Sequence, residues 1–359
     1  MPRTEAASTM APPRHSYHSE PTEIESLVAA VDARICLFLQ TESDRVRRQD
    51  PRLVEPIEAI RAMSSAGGKR IRPMFCFAGF LAAELTAPQD ELVNAGVALE
   101  LLHICALVHD DIMDASSERR GSPSAHVQFG TQHQKRRWHG SSEHFGTSAA
   151  ILVGDLALIY SDRFMPRRGA LDDIWFRLRA DLVLGQYMDV RATAENIADV
   201  RLARWVAVAK SGEYSICYPL LLGATLGGKP ELAPFFQGYG IAVGEAFQLR
   251  DDLIDVFGDS RIAGKTLGQD LRQGKMGLLL TLGAQRAPEI QDMIGHPDPE
   301  VGAAQARVAL RESGAVDEVE GLISDLVARG CASVDGAPIS ARWKQWMHTM
   351  AHDVAYRRT

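Results

Sequence analysis

The sequence has few cysteines, and none of them is placed as a pair. Its five cysteines stand singly along the 359 residues, at Cys36, Cys76, Cys105, Cys217 and Cys331. The odd count and the lack of a CxxC spacing argue against a disulfide framework and against cysteine-rich metal motifs. We therefore expect reduced thiols packed in the core, as is typical of a cytoplasmic protein.

Long apolar runs and an excess of basic residues are also lacking. No stretch approaches the roughly 20 apolar residues that a membrane helix needs, so no membrane span is expected. The opening MPRTEAASTMAPPRHSYHSEP is polar and rich in proline and serine, without the apolar core of a signal peptide. We interpret residues 1–20 as a disordered tail. The formal net charge of −7 argues against nucleic acid as a partner.

Strand-like alternation is scarce, and helical periodicity runs through nearly the whole chain from Thr22. Segments such as IESLVAAVDARICLFLQ and ELVNAGVALELLHICALVHDDIM place apolar residues at three- and four-residue spacing. The weakest periodicity lies in residues 121–146, whose KRRW cluster we expect on a surface loop. No composition break divides the chain. We predict a single all-α domain, a large helical bundle, over residues 21–359.

Two aspartate motifs of the form DDxxD interrupt these apolar helices. The first, in LVHDDIMDASSERRG, contains Asp110, Asp111 and Asp114, and the second, in GEAFQLRDDLIDVFGD, contains Asp251, Asp252 and Asp255. At about 100° per residue, Asp110 and Asp114 lie almost on one line of their helix, where like charges repel each other. Burial of unpartnered carboxylates is costly as well. Because facing helices of a bundle can present both motifs to one cavity, a shared cation would relieve both penalties.

The ligand types favour magnesium and a phosphate ester. Carboxylate oxygens, with no histidine and cysteine constellation beside them, suit a hard cation. Mg²⁺ binds through a few carboxylates together with water and phosphate oxygens. Arginine and lysine side chains that suit phosphate oxygens recur near glycine-containing turns or the acidic motifs. They are Lys69, Arg70, Arg72, Arg119, Arg120, Lys210, Lys265 and Lys275. We interpret them as two sites, in which metal ions hold one phosphate and basic side chains alone hold another.

The ordered series of motifs resembles that of the trans-isoprenyl diphosphate synthases, also called polyprenyl synthetases. The matching pieces are GGKRIRP, ELLHICALVHDDIMDASSERRGSPSAH, AILVGDLAL, GQYMDV, KSGEYS, GEAFQLRDDLIDVFGD and GKTLGQDLRQGK. The resemblance implies a bundle of the isoprenoid synthase type around a central cavity, working as a homodimer. It implies a prenyltransferase that condenses isopentenyl diphosphate with an allylic diphosphate, head to tail, and three Mg²⁺ ions with the allylic diphosphate bound.

The resemblance also assigns residues. Metal ions are expected on the carboxylates Asp110, Asp111, Asp114, Asp189, Asp251 and Asp255. The allylic diphosphate is expected on Arg119, Lys210 and Lys265, with Ser211 where many members have threonine. The diphosphate of isopentenyl diphosphate is expected on Lys69, Arg72, His103 and Arg120. Gln186, Gln248, Asp252 and Lys275 complete the site, and Gln248 is expected near the reacting carbons.

Two segments limit the resemblance. After Lys275 the family commonly has a KxT pattern, but this chain reads KMGLLL. The C-terminal YRRT resembles a basic tail that some members fold over the basic site, and a frayed end is the alternative. A terpene cyclase, a diphosphate hydrolase and a non-catalytic subunit of a heteromeric prenyl synthase stay as other interpretations. A cyclase normally lacks the second motif, and such subunits typically lose one motif.

Product length is expected to depend on the residues one helical turn below the first motif. One turn rises about 5.4 Å, close to the length of one isoprene unit, and the small Ala106 lies there near the Asp110 stripe. Cys105 stands where family members that make farnesyl products often carry a bulky aromatic residue, so its role rests on the resemblance. We hypothesise a C20 product, geranylgeranyl diphosphate, with C15 or with C25 and longer products as alternatives.

Overall fold

The computed structural model describes residues 22–83, 89–258, 268–294 and 296–357. Within these ranges the chain is helical almost throughout, and one short hairpin is the exception. The predicted all-α class is confirmed. The predicted tail of residues 1–20 and the expected phosphate ligand Lys265 lie outside the described residues.

The first half of the chain consists of helices joined mostly by short turns. They are α1 (Thr22–Arg47), α2 (Val54–Ser65), α3 (Ile71–Ala82), α4 (Gln89–Met113), α5 (Ala125–Arg136), α6 (Ser142–Phe164) and α7 (Ala170–Glu195). A 3-10 turn, Pro51–Leu53, precedes α2. Strands β1 (Glu118–Arg119) and β2 (Ser122–Pro123) pair as an antiparallel hairpin between α4 and α5.

The second half of the chain contains a long π-helix near its start. Helix α8 (Val200–Val206) runs into the π segment, Ala207–Cys217, which continues as α9 (Tyr218–Leu226). A 3-10 turn, Pro230–Leu232, leads to α10 (Ala233–Phe257). The remaining helices are α11 (Gln269–Gln273), α12 (Leu278–Arg286), α13 (Glu289–Ile294), α14 (Pro299–Glu312), α15 (Ala315–Asp335) and α16 (Ala341–Ala355).

Helices α3, α4 and α10 form the centre of the bundle. Helix α4 packs along α6, α3 packs along α9, and α10 lies between the π segment and α15. The apolar side chains that the sequence puts on these helices are buried almost completely, among them Phe75, Leu99 and Tyr239. Helices α4 and α10 both end at the aspartate motifs, so the positions of these two helix ends decide where the motifs lie.

Glycines bring α7 and α10 against the π segment. A Cβ atom at Gly185 of α7 would lie 2.7 Å from the backbone nitrogen of Lys210. A Cβ atom at Gly244 of α10 would lie 2.4 Å from the Cα atom of Gly212. Any larger residue at these crossings would push the helices apart. Glycine therefore sets the distance at which α7 can present side chains to Lys210.

The KRRW cluster is exposed, as expected, but only Arg137 and Trp138 lie in a loop, because Lys135 and Arg136 end a helix. Residues Ala125–Arg136 form α5, and α6 begins at Ser142. Trp138 of the KRRW cluster packs against Phe145, with ring centroids 5.1 Å apart. The buried side of α5 consists of alanine, glycine, histidine and a single phenylalanine, Phe129, rather than of aliphatic residues. That composition hides the helical period in the sequence.

Two helices in the described part of the chain are long and apolar enough to cross a membrane by length and composition alone. They are Gln89–Met113 and Ser142–Phe164. The apolar window of the first is 72% buried inside the protein, as in a core helix, and that of the second is 39% buried. Length and composition are weak evidence in such cases, because core helices of soluble proteins meet the same criterion.

We predict that Gly185→Ala destabilises the protein by about 1–3 kcal/mol, because the added methyl group clashes with the backbone of the π segment. The matched control is Gly321→Ala in α15, where a Cβ atom meets nothing within 4 Å. There alanine should be neutral or stabilise by up to about 1 kcal/mol through helix propensity. Thermal unfolding of both variants measures the difference. Equal melting temperatures would contradict the close crossing of α7 and the π segment.

Candidate diphosphate and metal site

The two aspartate motifs lie at the ends of two long helices, α4 and α10. The first motif occupies the last turns of α4, and the second occupies the last turns of α10. The π segment packs along α10, and its Lys210 reaches the first motif with Nζ 3.2 Å from Oδ1 of Asp110. The fold thus brings both motifs to the same end of the bundle.

Lys210 is the shared partner of two predicted metal carboxylates. Its Nζ donates a hydrogen bond to Oδ2 of Asp189 at 2.7 Å, in addition to its contact with Asp110. Gln186, from the same helix as Asp189, donates to Oδ1 of Asp110 at 3.3 Å. Burial alone would lower the pKa of Lys210, but the two carboxylates raise it above its usual value. Lys210 is therefore a permanent positive charge in the site.

Arg119 holds the buried carboxylate of the first motif. Asp111 is only 1% exposed, and its Oδ1 accepts hydrogen bonds from Nε and Nη2 of Arg119 at 2.9 and 2.5 Å. The β1–β2 hairpin carries Arg119 back over the helix end, where Nη2 also lies 3.7 Å from Oδ2 of Asp110. Burial raises the pKa of Asp111 even against this arginine. Its Oδ2 is buried with no hydrogen-bond partner among the described residues.

Residues around α11 cover the end of the first motif. Lys275 forms a salt bridge with Asp114, and Gln273 donates a hydrogen bond to the backbone oxygen of the same aspartate. Ser116 donates to Gln269 at 3.0 Å. Lys275 thus lies in the site, although the KMGLLL sequence that follows departs from the family pattern. Gln269 and Gln273 are contacts that sequence reasoning missed.

Asp251, which opens the second motif, pairs with the C-terminal end of the chain. Arg357 forms a salt bridge with Oδ1 of Asp251 and is 8% exposed. Its guanidinium carbon lies 3.8 Å from the ring centroid of Phe247, one turn before Asp251 on α10. Of the two alternatives for the YRRT end, the structure therefore has the ordered tail at Arg357.

The other two aspartates of the second motif face inward. Gln248 donates a hydrogen bond to Oδ1 of Asp252 at 2.7 Å. Burial, together with the nearby carboxylates Asp270 and Asp251, raises the pKa of Asp252 to about 8. Asp255 is buried, and its Oδ2 accepts a hydrogen bond from the backbone nitrogen of Asp270 at 3.1 Å. Asp270 is a further carboxylate that sequence reasoning missed.

A cavity of about 80 Å³ lies beside the second motif, between α7, the π segment, α10 and α12. Its polar wall consists of Asp189, Lys210, Ser211, Gln248, Asp252, Asp270 and Lys275. Its apolar wall includes Val206, Val256, Leu279 and Leu280. The cavity joins carboxylates, two lysines and a hydrocarbon surface, and that mixture suits an amphipathic anion.

The carboxylates around this cavity suit Mg²⁺ that is completed by a phosphate ligand. Within the described ranges, no group of three aspartate, glutamate, histidine or cysteine side chains is arranged to hold an ion unaided. Mg²⁺ ordinarily takes only one or two carboxylates beside substrate phosphates and water. Oδ2 of Asp111 has no hydrogen-bond partner among the described residues, and the pKa of Asp252 is raised first by burial and then by the nearby Asp270 and Asp251. A divalent cation beside these carboxyl groups would favour their charged forms.

The predicted ligands of the second diphosphate form a separate basic group. Arg72 donates to Oγ of Ser215 at 2.9 Å, and Oη of Tyr214 lies 3.2 Å from Nδ1 of His103. Arg120 donates to the backbone oxygen of Gly67. The guanidinium of Arg120 lies close to Gly68: a Cβ atom on Gly68 would be 3.1 Å from Nη2 of Arg120.

Lys69 completes this basic group. Burial and the nearby Arg357 lower the pKa of Lys69 to about 8, and Asp251 opposes the shift. Lys69 and Arg357 therefore lie where the basic group meets the second motif. An anion bound between them would restore the full charge of Lys69 at neutral and mildly alkaline pH.

Arg70 is a structural residue, although its position in GGKRIRP suggested a phosphate ligand. Its Nε donates to Asp32 at 2.9 Å, Nη1 donates to Glu100 at 2.6 Å, and Nη2 donates to the backbone oxygen of Ser64 at 2.7 Å. Glu100 is 2% exposed, so this arginine satisfies a buried carboxylate. The sequence does not distinguish it from Lys69 and Arg72, because only the helix start at Ile71 decides which side chains point inward.

The two residues expected to control product length lie on α4 below the first motif. Cys105 is 7% exposed, and its Sγ lies 3.8 Å from Nδ1 of His109. Ala106 is partly exposed one turn before Asp110, so there is open space beside its methyl group.

Comparison with known proteins identifies the family. Residues 55–309 match the family model described as "Polyprenyl synthetase". The chain is 32% identical over 252 residues to a nonaprenyl diphosphate synthase of Mycobacterium tuberculosis, with 68% of each chain covered. It is 30% identical over 294 residues to a geranylgeranyl diphosphate synthase of Methanosarcina mazei, covering 78% of this chain and 83% of that one.

A solved structure agrees with these relatives. The crystal structure of a geranylgeranyl pyrophosphate synthase from Corynebacterium glutamicum, complexed with isoprenyl diphosphate and magnesium, superposes with a TM-score of 0.88. The two sequences are 34% identical, and the match covers 93% of this chain and 99% of the other. The family is magnesium-dependent in general. The identification made from the sequence motifs is confirmed: the chain belongs to the polyprenyl synthetase family, whose members are prenyltransferase enzymes.

Proposed function

We propose that the protein condenses isopentenyl diphosphate with an allylic diphosphate, head to tail, to make geranylgeranyl diphosphate. The observation that carries the proposal is the arrangement of charge at the end of the bundle. Lys210 and Lys275 contact the first aspartate motif and line one cavity with Asp252 of the second. A second basic group, formed by Lys69, Arg72, His103 and Arg120, lies beside them. One anion-binding site with metal and one without suit a reaction that uses two diphosphates.

The allylic diphosphate is assigned to the metal side. Asp110, Asp114 and Asp251 would hold Mg²⁺, with Asp111, Asp189 and Asp255 in support. Three ions are proposed with the allylic diphosphate bound, as the resemblance to the family implies, and their positive charge would offset that of the diphosphate. The basic side chains on this side are Arg119, Lys210, Lys265 and Lys275, and Ser211 lines the same cavity. Isopentenyl diphosphate is assigned to Lys69, Arg72, His103 and Arg120.

Charge stabilisation explains how these residues promote the reaction. Lys210 and Arg119 place fixed positive charge where the departing pyrophosphate accumulates negative charge, which favours cleavage of the allylic C–O bond. When bound, Mg²⁺ supplies further positive charge to the same leaving group. The double bond of isopentenyl diphosphate then attacks the carbocation, and the proton lost in the last step passes to pyrophosphate. Gln248 donates a hydrogen bond to Asp252 and lines the cavity with it, where the reacting carbons are expected.

The apolar helix faces protect the carbocation from water. Val206, Val256 and Leu280 line the cavity beside the charged wall. A hydrocarbon chain that grows along α4 would pass Ala106 and Cys105, one turn below Asp110. Both side chains are small, so a chain longer than C15 can pass this turn. Leu99 and Leu102, which are buried further down α4, are assigned as the floor that limits the product to C20.

Turnover by the purified chain tests the activity. With Mg²⁺, isopentenyl diphosphate and dimethylallyl, geranyl or farnesyl diphosphate, we expect geranylgeranyl diphosphate as the main product by mass spectrometry. Asp110→Asn is the control, and it should reduce turnover by at least 100-fold. No elongation with any primer would favour a non-catalytic subunit. Consumption of the allylic diphosphate without isopentenyl diphosphate would favour a cyclase or a hydrolase.

Ala106→Phe should shorten the product to C15 or C10, because the ring would block the passage along α4. The variant must still consume dimethylallyl diphosphate, which shows that the charged site is intact. Ala106→Ser is the matched control, since it stays small and should leave the C20 product unchanged. Product chain length measured for both variants decides the matter. A C20 product from Ala106→Phe would refute the assignment of the tunnel.

We also propose that the protein is a homodimer. Helices α6 and α7 each expose large apolar side chains, which we assign to one α6–α7 face: Ile151, Leu152, Ile159, Phe176, Val183, Leu184, Tyr187 and Val190. Phe176 and Val183 are 65% and 66% exposed, which is unusual for apolar side chains of this size outside an interface. A second copy would cover this face about a twofold axis.

The five cysteines are free thiols, which supports the cytoplasm as the site of action.

Leu184→Glu should convert the dimer to a monomer, because a carboxylate at the centre of a buried apolar contact has no partner. The control is Val308→Glu on α14, where the side chain is 52% exposed and lies outside the α6–α7 face. Sedimentation velocity of both variants at micromolar concentration gives the assembly state. A dimeric Leu184→Glu protein with native circular dichroism would show that this face is not the interface.

A further inference from the structure

Tyr214 links two of the side chains that are assigned to the second diphosphate. Its Oη lies 3.2 Å from Nδ1 of His103, and the guanidinium carbon of Arg72 lies 4.2 Å from the centroid of its ring. The tyrosine is 3% exposed. It comes from the π segment, whereas Arg72 is on α3 and His103 is on α4. One buried side chain therefore connects three elements of the fold at the basic group.

The hydrogen-bond chemistry gives the direction of the Tyr214–His103 contact. Nδ1 is the ring nitrogen of His103 that lies beside the Tyr214 hydroxyl, so Nε2 is the ring nitrogen left for a bound anion. Diphosphate oxygens only accept hydrogen bonds, so a neutral His103 that binds one carries its hydrogen on Nε2. Nδ1 of His103 is the acceptor within reach. The hydroxyl therefore donates to Nδ1, and Nδ1 carries no hydrogen.

The charge state of His103 agrees with this direction. Burial lowers the pKa of His103 well below its ordinary value, and the cationic groups that face it, Arg72, Arg120, Arg119 and Arg70, lower it further. The imidazole is therefore neutral at pH 7. A neutral imidazole has one N–H group, and with Nδ1 accepting from Tyr214 that hydrogen is on Nε2.

Arg72 is oriented by the same segment. Its Nη2 donates to Oγ of Ser215 at 2.9 Å, and its guanidinium lies over the Tyr214 ring. Its Nε atom is buried and has no hydrogen-bond partner among the described residues. A buried arginine donor without an acceptor is costly unless an anion completes it. Arg72 thus keeps a free donor next to His103.

We propose that Tyr214 is a positioning residue that fixes His103 as the Nε2–H tautomer and holds Arg72 beside it, so that both present a hydrogen-bond donor to one diphosphate. The inference deepens the proposed function, because it rests on His103 and Arg72 as ligands of isopentenyl diphosphate. Tyr214 itself need not touch the substrate. Its contribution is to prevent His103 from presenting a lone pair to an anion that only accepts.

The tautomer is measured directly by long-range nitrogen–proton NMR of the protein labelled with ¹⁵N-histidine. The chain has 11 histidines, and subtraction of the His103→Gln spectrum assigns the signal of His103. In the wild type we expect a protonated Nε2 and a bare Nδ1. In Tyr214→Phe, which keeps the ring under Arg72 and removes only the hydroxyl, we expect a mixture of tautomers. The matched control is Tyr239→Phe, since Oη of Tyr239 donates to the backbone oxygen of Met347 at 2.8 Å away from the site.

Steady-state kinetics distinguishes a role of Tyr214 in positioning His103 and Arg72 from a role in the stability of the fold alone. Tyr214→Phe should raise KM for isopentenyl diphosphate about five- to tenfold, the value of one hydrogen bond, with little change in kcat and in KM for the allylic substrate. Tyr239→Phe should leave both KM values within twofold. In the His103→Gln background Tyr214→Phe should cost less than twofold, because an amide has no tautomer to fix.

Two results would overturn the inference. One is a wild-type His103 with its proton on Nδ1, and the other is a Tyr214→Phe protein whose His103 signal and KM for isopentenyl diphosphate are both unchanged. Absence of turnover in the wild type would instead contradict the proposed function. The NMR measurement would still report the tautomer in that case, so the two failures can be distinguished.

Discussion

Repulsion among carboxylates at the ends of α4 and α10 is the constraint on which the site depends. Each motif places aspartates where the helix has just left the apolar core, and each aspartate would be costly there without a counter-charge. In the structure, lysine and arginine side chains from four other parts of the chain supply it: Arg119 from the hairpin, Lys210 from the π segment, Lys275 after α11 and Arg357 at the end of the chain. Oδ2 of Asp111 is left without a hydrogen-bond partner among the described residues, and Asp252 is buried near Asp270 and Asp251, an arrangement that suits divalent cations.

The π segment joins the two halves of this site. Lys210 contacts Asp110, and Tyr214, four residues later, contacts His103, two helical turns below Asp110 on α4. Lys210 of the π segment therefore contacts the metal-binding half of the site, and Tyr214 of the same segment contacts the basic half. An i→i+5 hydrogen-bond pattern is rare over such a length and is frequent at functional sites. Gly212, packed on Gly244 of α10, and Gly185 of α7 let the segment approach both neighbours closely enough to do this.

Periodicity and motif spacing predicted much of the fold, and the resemblance predicted the family. The stripe of Asp110 and Asp114 follows from helical geometry, and Lys210 and Lys275 follow from the motifs around them. Contacts between distant segments did not follow, because nothing local in YRRT specifies that Arg357 pairs with Asp251. Tyr214 looks like any aromatic core residue in the sequence, and Arg70 looks like any phosphate ligand. Residues Ala125–Arg136 were missed as a helix because their buried face is made of small and polar residues.

The central claim is that both aspartate motifs bind metal ions around one diphosphate. A crystal structure of the protein with Mn²⁺ and inorganic pyrophosphate, phased to show anomalous scattering from manganese, tests it most directly. The account predicts manganese peaks within coordination distance of Asp110 and Asp114 on one side and of Asp251 on the other, with pyrophosphate oxygens shared between them. Pyrophosphate bound without manganese, or manganese confined to a single motif, would contradict it.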